Sequence, residues 1–227
     1  CACTNFAGEW LFGKKAMSDG KVIIWQNAVE IDKFLFNPKK RSAVRKKYSI
    51  EDRFVVGHVG RFIHQKNHEF IIDIFNEVYK KNNKAVLMLV GSGNLMPMIK
   101  EKVHNLGLDS VVLFLGNRSD IADIYQAMDV FVMPSFYEGL GMVAVEARIA
   151  GMPVICADTV PEEARICDNF EYLSLNDSAA VWAREVLNNA ENTERRNIKQ
   201  AAVEAGYDID TAAEKMTEWY KTLLHIK

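Results

Sequence analysis

Two carboxylates and two cations stand where they could hold a phosphate joined to a sugar. Glu138 and Glu146, with seven residues between them, flank a turn over residues 135–141 that contains Gly139 and Gly141. A helix is predicted to begin at Met142, so its first amides are unpaired and the positive end of its dipole meets the turn. Glycines there let a ligand approach the backbone, which makes the turn an anion site. Carboxylates beside a bare phosphate would repel it. Beside a phosphate that carries sugars, they accept hydrogen bonds from hydroxyls. Arg61 and Lys66 lie in a second loop, GRFIHQKN at residues 60–67, and can reach one anion from two sides. The guanidinium offers a fixed fork to phosphate oxygens and the ammonium a point charge. Both could act on charge growing on a departing diphosphate.

These loops do their work only if strands deliver them to one edge. Residues 54–59, 85–90, 111–115, 130–133, 153–156 and 170–173 read as short apolar strands. Residues 67–80, 95–106, 119–127 and 142–150 read as helices between them, the first with Phe70, Ile71, Ile74, Phe75 and Val78 at helical spacing. Ser119 is the expected N-cap of the third, and Gly151 ends the fourth with Pro153 beyond it. Alternating strands and helices predict an α/β fold, a Rossmann-like parallel sheet with helices on both faces. Ligands in such sheets sit beyond the carboxyl ends of the strands, where both charged loops fall. Two more loops share that edge. GSGN at 91–94 is a tight turn or a G-x-G approach to phosphate, and GNRSD at 116–120 ends in an acid suited to a first helical turn.

Outside this core, residues 1–20 read as a helix and 21–25, KVIIW, as a strand. Residues 177–190 and 192–206 read as two helices, the second with Thr193 as cap. Residues 208–226 read as an amphipathic helix with Met216, Trp219, Tyr220, Leu223 and Leu224 on its apolar side. Six of the fifteen residues 38–52 are Lys or Arg in a short helix, either a solvated face or a contact with an anionic membrane surface. The helix at 142–150 is apolar all round, so Glu146 needs a partner: a ligand hydroxyl, or Arg148 or Arg165.

At 227 residues, 49% hydrophobic and 26% charged, the chain has material for one substantial core. A net charge of -2 argues against a general nucleic-acid binder. No apolar run approaches the roughly 20 residues of a membrane span, and no signal peptide is expected. Cys1, Cys3, Cys156 and Cys167 show neither zinc spacing nor a disulfide framework, which fits a reducing cytosol. None of the five histidines pairs with a Cys or acid at metal-ligand spacing, so no metal site is expected. His58 falls on a strand and His68 opens a helix. His64 is either exposed or in touch with the ligand, and His104 and His225 read as helix surface. The chain starts at Cys1 rather than Met and reads as a fragment.

The spacing of Glu138 and Glu146 within EGLG and VEA, and the run of Gly60, Arg61 and Lys66, resemble the E-x7-E and G-R-x4-K signatures of retaining family-4 glycosyltransferases. Bacterial exopolysaccharide enzymes are the most similar. QNAVEIDKF at 26–34 resembles their inter-domain segment, with Ala28 where the pattern has glycine, and Thr159-Val160 stands where glycines usually precede P-E. The resemblance implies the C-terminal half of a GT-B fold. Residues 1–20 would be a remnant of an N-terminal acceptor domain, 21–205 the donor-binding domain and 206–227 a helix crossing back.

It also implies transfer of a sugar from a nucleoside diphosphate sugar to an acceptor hydroxyl; UDP is the nucleotide expected over GDP or ADP, a choice the resemblance itself does not make. The setting would be bacterial polysaccharide or cell-surface glycan synthesis, in the cytoplasm or at the inner membrane face. Arg61 and Lys66, beside Gly60, would hold the diphosphate with the backbone of Gly139, Leu140, Gly141 and Met142. Glu138 would hold the sugar, Glu146 the ribose, and Asn117 and Arg118 the base. No cofactor or metal is implied beyond the nucleotide-sugar. A glycan or lipid-linked acceptor would bind through the N-terminal domain, so this chain should bind donor without efficient transfer. A sugar-nucleotide epimerase and a non-catalytic nucleotide-binding module are the alternatives. A glycosidase built on the two glutamates explains neither Arg61 nor Lys66.

Overall fold

The computed structural model of the chain describes residues 1–189 and 195–224. The apolar runs become six strands: β1 (Phe54–Val59), β2 (Ala85–Val90), β3 (Val112–Phe114), β4 (Val130–Met133), β5 (Val154–Ala157) and β6 (Phe170–Leu173). All pair in parallel, in the order β3-β2-β1-β4-β5-β6. The helices are α1 (Asn5–Ser18), α2 (Ile31–Phe34), α3 (Pro38–Lys47), α4 (His68–Lys81), α5 (Met96–Asn105) and α6 (Ile121–Ala127), then α7 (Met142–Ile149), α8 (Ala179–Asn188), α9 (Lys199–Glu204) and α10 (Ile209–Leu224).

Successive side chains of a strand point to opposite faces, and each strand feeds two cores. Val55, Met88, Phe131, Met133 and Cys156 pack with α2, α6, α7 and α9. Val56, Leu87, Leu89, Val132 and Ile155 pack with α4, α5 and α8. Helices therefore cover both faces, as the alternation of elements requires. No described helix is long and apolar enough to cross a membrane.

Three local readings change. Residues 21–25 do not join the sheet. Ile24 makes a single bridge to Ala2, and Ile23 and Ile24 stay exposed. Asp120, not Ser119, occupies the N-cap of α6, and its carboxylate is taken by Arg118 instead of the helix amides. The helix expected at 192–206 begins at Lys199, whose amide donates to Asn197 Oδ1, while Thr193 lies outside the described residues. The last helix is described to Leu224, so His225 and Ile226 also lie outside. Its apolar side is largely open, with Trp219 resting on Trp25 at 5.8 Å and Tyr220, Leu223 and Leu224 exposed.

The basic helix α3 is more than a solvated face. Arg41 and Arg45 turn inward to one carboxylate, Asp129, which also accepts the Val55 amide at 2.7 Å. Arg45 is buried and donates to the carbonyls of Ala127, Glu51 and Arg53 as well, and burial lowers its pKa. Lys39, Lys46 and Lys47 point to water, and Lys40 reaches Asp123. Removing one member of a buried ion network leaves the others uncompensated. Asp129→Ala should therefore cost roughly 3–5 kcal/mol in a urea melt. A loss under about 1 kcal/mol, the worth of a surface pair, would contradict this placement.

Candidate functional site

The strand order reverses between β1 and β4, so their carboxyl ends open a crevice at the topological switch point. Both charged loops leave the sheet there. After β1, Gly60 and Arg61 lead to buried Phe62 and a 3-10 turn at His64–Lys66. After β4, residues 134–141 lead into α7.

Lys66 Nζ lies 2.6 Å from Glu138 Oε1, and the two side chains keep 13% and 8% of their exposure. Gln65 Nε2 donates to Glu138 Oε2 and to the Tyr137 carbonyl, and the Phe136 amide donates back to the Gln65 carbonyl. The two loops are thus zipped together around one ion pair. Glu138 is no surface glutamate. Arg61 is exposed, and its guanidinium makes no hydrogen bond or ion pair with a described residue, while its carbonyl accepts the Ile63 amide at 2.8 Å.

The loop after β2 supports the first. Gly91 has φ +132° and packs so tightly that a β-carbon would lie 2.0 Å from the Gly60 carbonyl oxygen. The Phe62 amide donates to Ser92 O, and the Gly91 amide donates to Gly116 O. The glycines of GSGN serve loop-to-loop packing against the backbone of Gly60 and Phe62. In the next loop, Ser92 Oγ bonds Asn117 Oδ1 at 2.9 Å, and Arg118 forks onto Asp120. Asn117 and Arg118 are exposed at the rim.

Gly141 stands at the N-cap of α7 with φ +86°, a conformation few side chains adopt, and no side chain caps the helix. The amides of Met142 and Val143 therefore keep their donors, while the Ala144 amide donates to the Gly141 carbonyl at 2.8 Å. Leu140 is buried, so only its backbone is available, and the Gly139 carbonyl is held at 2.7 Å by the hydroxyl of buried Thr4. One turn into α7, Glu146 pairs with neither Arg148 nor Arg165. Arg148 donates to the Asp168 carbonyl and Arg165 pairs with Glu162. The Tyr125 hydroxyl lies 3.0 Å from Glu146 Oε2 and 3.1 Å from the Val143 carbonyl, so one proton serves two acceptors. Burial raises the Glu146 carboxyl above its usual range, opposed by that hydroxyl, and burial beside Glu146 pushes the Tyr125 phenol well up.

Beneath the site lie two histidines to which sequence reasoning gave no role. His58 Nδ1 bonds the Val132 carbonyl at 2.8 Å, tying β1 to β4, and His68 stacks on Phe62 with ring centroids 3.9 Å apart. Burial holds both neutral: His58 falls well below its usual value and His68 falls to about 4, helped by the charge of Lys66. Gln65, Tyr125 and Thr4 were also missed. Only Gln65, inside the quoted loop, carried a local signal.

The arrangement offers cations, free helix amides and carboxylate acceptors around one crevice. The family described as glycosyl transferases group 1 matches residues 40–221, which include all of them. EpsF of Bacillus subtilis (strain 168) is 35% identical over 214 residues, covering 92% of this chain and 55% of EpsF. The UDP-Gal:alpha-D-GlcNAc-diphosphoundecaprenol alpha-1,3-galactosyltransferase of Escherichia coli is 30% identical over 163 residues, 69% of this chain and 42% of that enzyme. The crystal structure of Anabaena HepE in complex with UDP and glucose has the same fold, with a TM-score of 0.76 at 23% identity over 88% of this chain and 56% of that one. The chain thus spans about half the length of the curated relatives it matches. It belongs to the glycosyl transferases group 1 family.

Proposed function

We propose that this chain is the donor-binding half of a retaining glycosyltransferase that moves a sugar from a UDP-sugar to an acceptor hydroxyl. The observation that carries this reading is the Lys66–Glu138 pair, set at the carboxyl edge of β1 and β4 beside an uncapped helix N-terminus. A resting ion pair keeps both charges compensated while no donor is bound. The ammonium has three protons, so it can turn one to a diphosphate oxygen and keep another on Glu138. Lys66, Arg61 and the amides of residues 139–142 then stabilise the leaving diphosphate, a role that needs no metal, while Gly60, whose amide already donates to the Val90 carbonyl, serves the close packing of the loop instead. Glu138 orients the sugar through its hydroxyls. Glu146, oriented by Tyr125, accepts from the ribose, and Asn117 and Arg118 border the base.

The share of each relative's length that is covered supports an acceptor domain elsewhere in the full protein, with residues 1–20 as its remnant, 21–205 as the donor domain and 206–227 as the crossing helix. The named substrates of the Escherichia coli relative support a UDP-linked donor and a lipid-linked glycan acceptor. An acceptor of that kind would suit work in the cytoplasm at the inner membrane face, and exposed Lys39, Lys46 and Lys47 of α3 support a contact with anionic lipid there.

Calorimetric titration with UDP, GDP and ADP tests the donor assignment. UDP should bind without magnesium, and Lys66→Ala should weaken it about tenfold or more, the worth of one charge-assisted hydrogen bond. Binding that requires magnesium, or that ignores Lys66→Ala, would contradict the proposal. The pH dependence tests Glu146. Its ionised form accepts the ribose hydroxyls, so UDP affinity should fall as pH drops through its raised pKa. The Tyr125 hydroxyl favours the ionised form, so Tyr125→Phe should move that fall to higher pH. A midpoint that stays put or moves down would remove Tyr125 from the site.

A further inference from the structure

A cleft of about 540 Å³ lies between the start of α1 and the loops after β4 and β5, lined by Phe136 and Tyr137 on one side and residues 158–163 on the other. Its volume is in the range of small-molecule sites. We propose that it seats a neutral saccharide ring of the acceptor, an inference that rests on the donor-site reading above. One wall is aromatic. Phe6 and Tyr137 are 55% and 56% exposed, and Phe136 is held by stacking on His64 with ring centroids 4.6 Å apart. Flat apolar rings pack on the C–H face of a pyranose, and their rigidity keeps the ordering cost low.

The other wall supplies acceptors. Asp158 makes no side-chain hydrogen bond or ion pair with a described residue, and Glu163 gives one oxygen to the Asn5 amide at 3.4 Å and keeps the other. Both suit sugar hydroxyls and repel a phosphate, so the donor's diphosphate has no place here.

The walls are braced before any ligand arrives. The Thr159 hydroxyl donates to the Ser135 carbonyl at 2.7 Å, and the Tyr172 hydroxyl to the Pro161 carbonyl at 3.0 Å. Val160 is buried against Gly141. Thr159 and Val160, which replace the glycines of the usual pattern, thus stiffen this loop. Tyr137 adjoins Glu138 in sequence, so a ring in the cleft lies next to the position proposed for the donor sugar.

The test is a nuclear magnetic resonance titration of the isotope-labelled chain, saturated with UDP, with the methyl α-glycosides of glucose, galactose and N-acetylglucosamine. At least one should give saturable shifts at the amides of Phe6, Tyr137, Asp158 and Glu163. Tyr137→Ala and Asp158→Asn, both at exposed side chains, should each weaken it by about 2- to 10-fold with UDP affinity unchanged. Saturable binding that persists when UDP-glucose replaces UDP supports the proposal. Displacement by UDP-glucose would give the cleft to the donor sugar and overturn it, as would the absence of saturable shifts with all three glycosides. Failure of the donor reading is seen separately, as no binding of UDP by the unaltered chain.

Discussion

A lysine ammonium and a glutamate carboxylate, 2.6 Å apart and largely shut from water, close the seam on which this fold depends. β1 and β2 pair over six residues, whereas β1 and β4 pair over only two, Val56 with Val130 and Gly57 with Phe131. The two halves of the sheet are therefore joined by a short ladder, and polar groups close it at both ends. At the amino end, Asp129 accepts the Val55 amide and gathers Arg41 and Arg45. At the carboxyl end, His58 holds the Val132 carbonyl and Lys66 meets Glu138.

The two ends differ in kind. Around Asp129, two guanidiniums share one carboxylate and are tied further to backbone carbonyls, so the network fixes structure. At the other end, Lys66 has protons to spare, the Arg61 guanidinium is free of described partners, and the first amides of α7 have no side-chain cap. Both ion networks are buried, so what distinguishes the Lys66–Glu138 pair is its place at the ligand edge beside an uncapped helix, which fits a role in binding as well as in closing the seam. A reversal of strand order creates the crevice, and the short seam lets loops from both halves line it.

Much of this was legible in the residues. Strands covered on both faces are mostly apolar, interrupted here only by His58 in β1 and Glu171 in β6, so their runs marked β1 through β6 to within a residue or two. The same criterion misread KVIIW, because an apolar run looks the same whether it enters a sheet or lies on the surface beside Trp219. The two charged loops stood out because they followed strands. Pairings across the fold could not be read, since Thr4 is 135 residues from Gly139 and no local pattern reports such a contact. The inward turn of α3 did leave a signal. Arg41 and Arg45 are four apart and share a helix face, while Lys39, Lys40, Lys46 and Lys47 fall on the opposite one.

Separate assignment of Lys66 to the diphosphate and Glu138 to the sugar is tested most directly by Glu138→Gln, titrated with UDP and then with UDP-sugars. Without a sugar, loss of the carboxylate removes a negative charge near the phosphates and releases Lys66 to them. UDP should therefore bind at least as tightly as before, while the added affinity from the sugar of the preferred UDP-sugar should vanish. If Glu138→Gln instead weakens UDP and UDP-sugars equally, the pair acts as a single structural clasp and the division of roles is wrong.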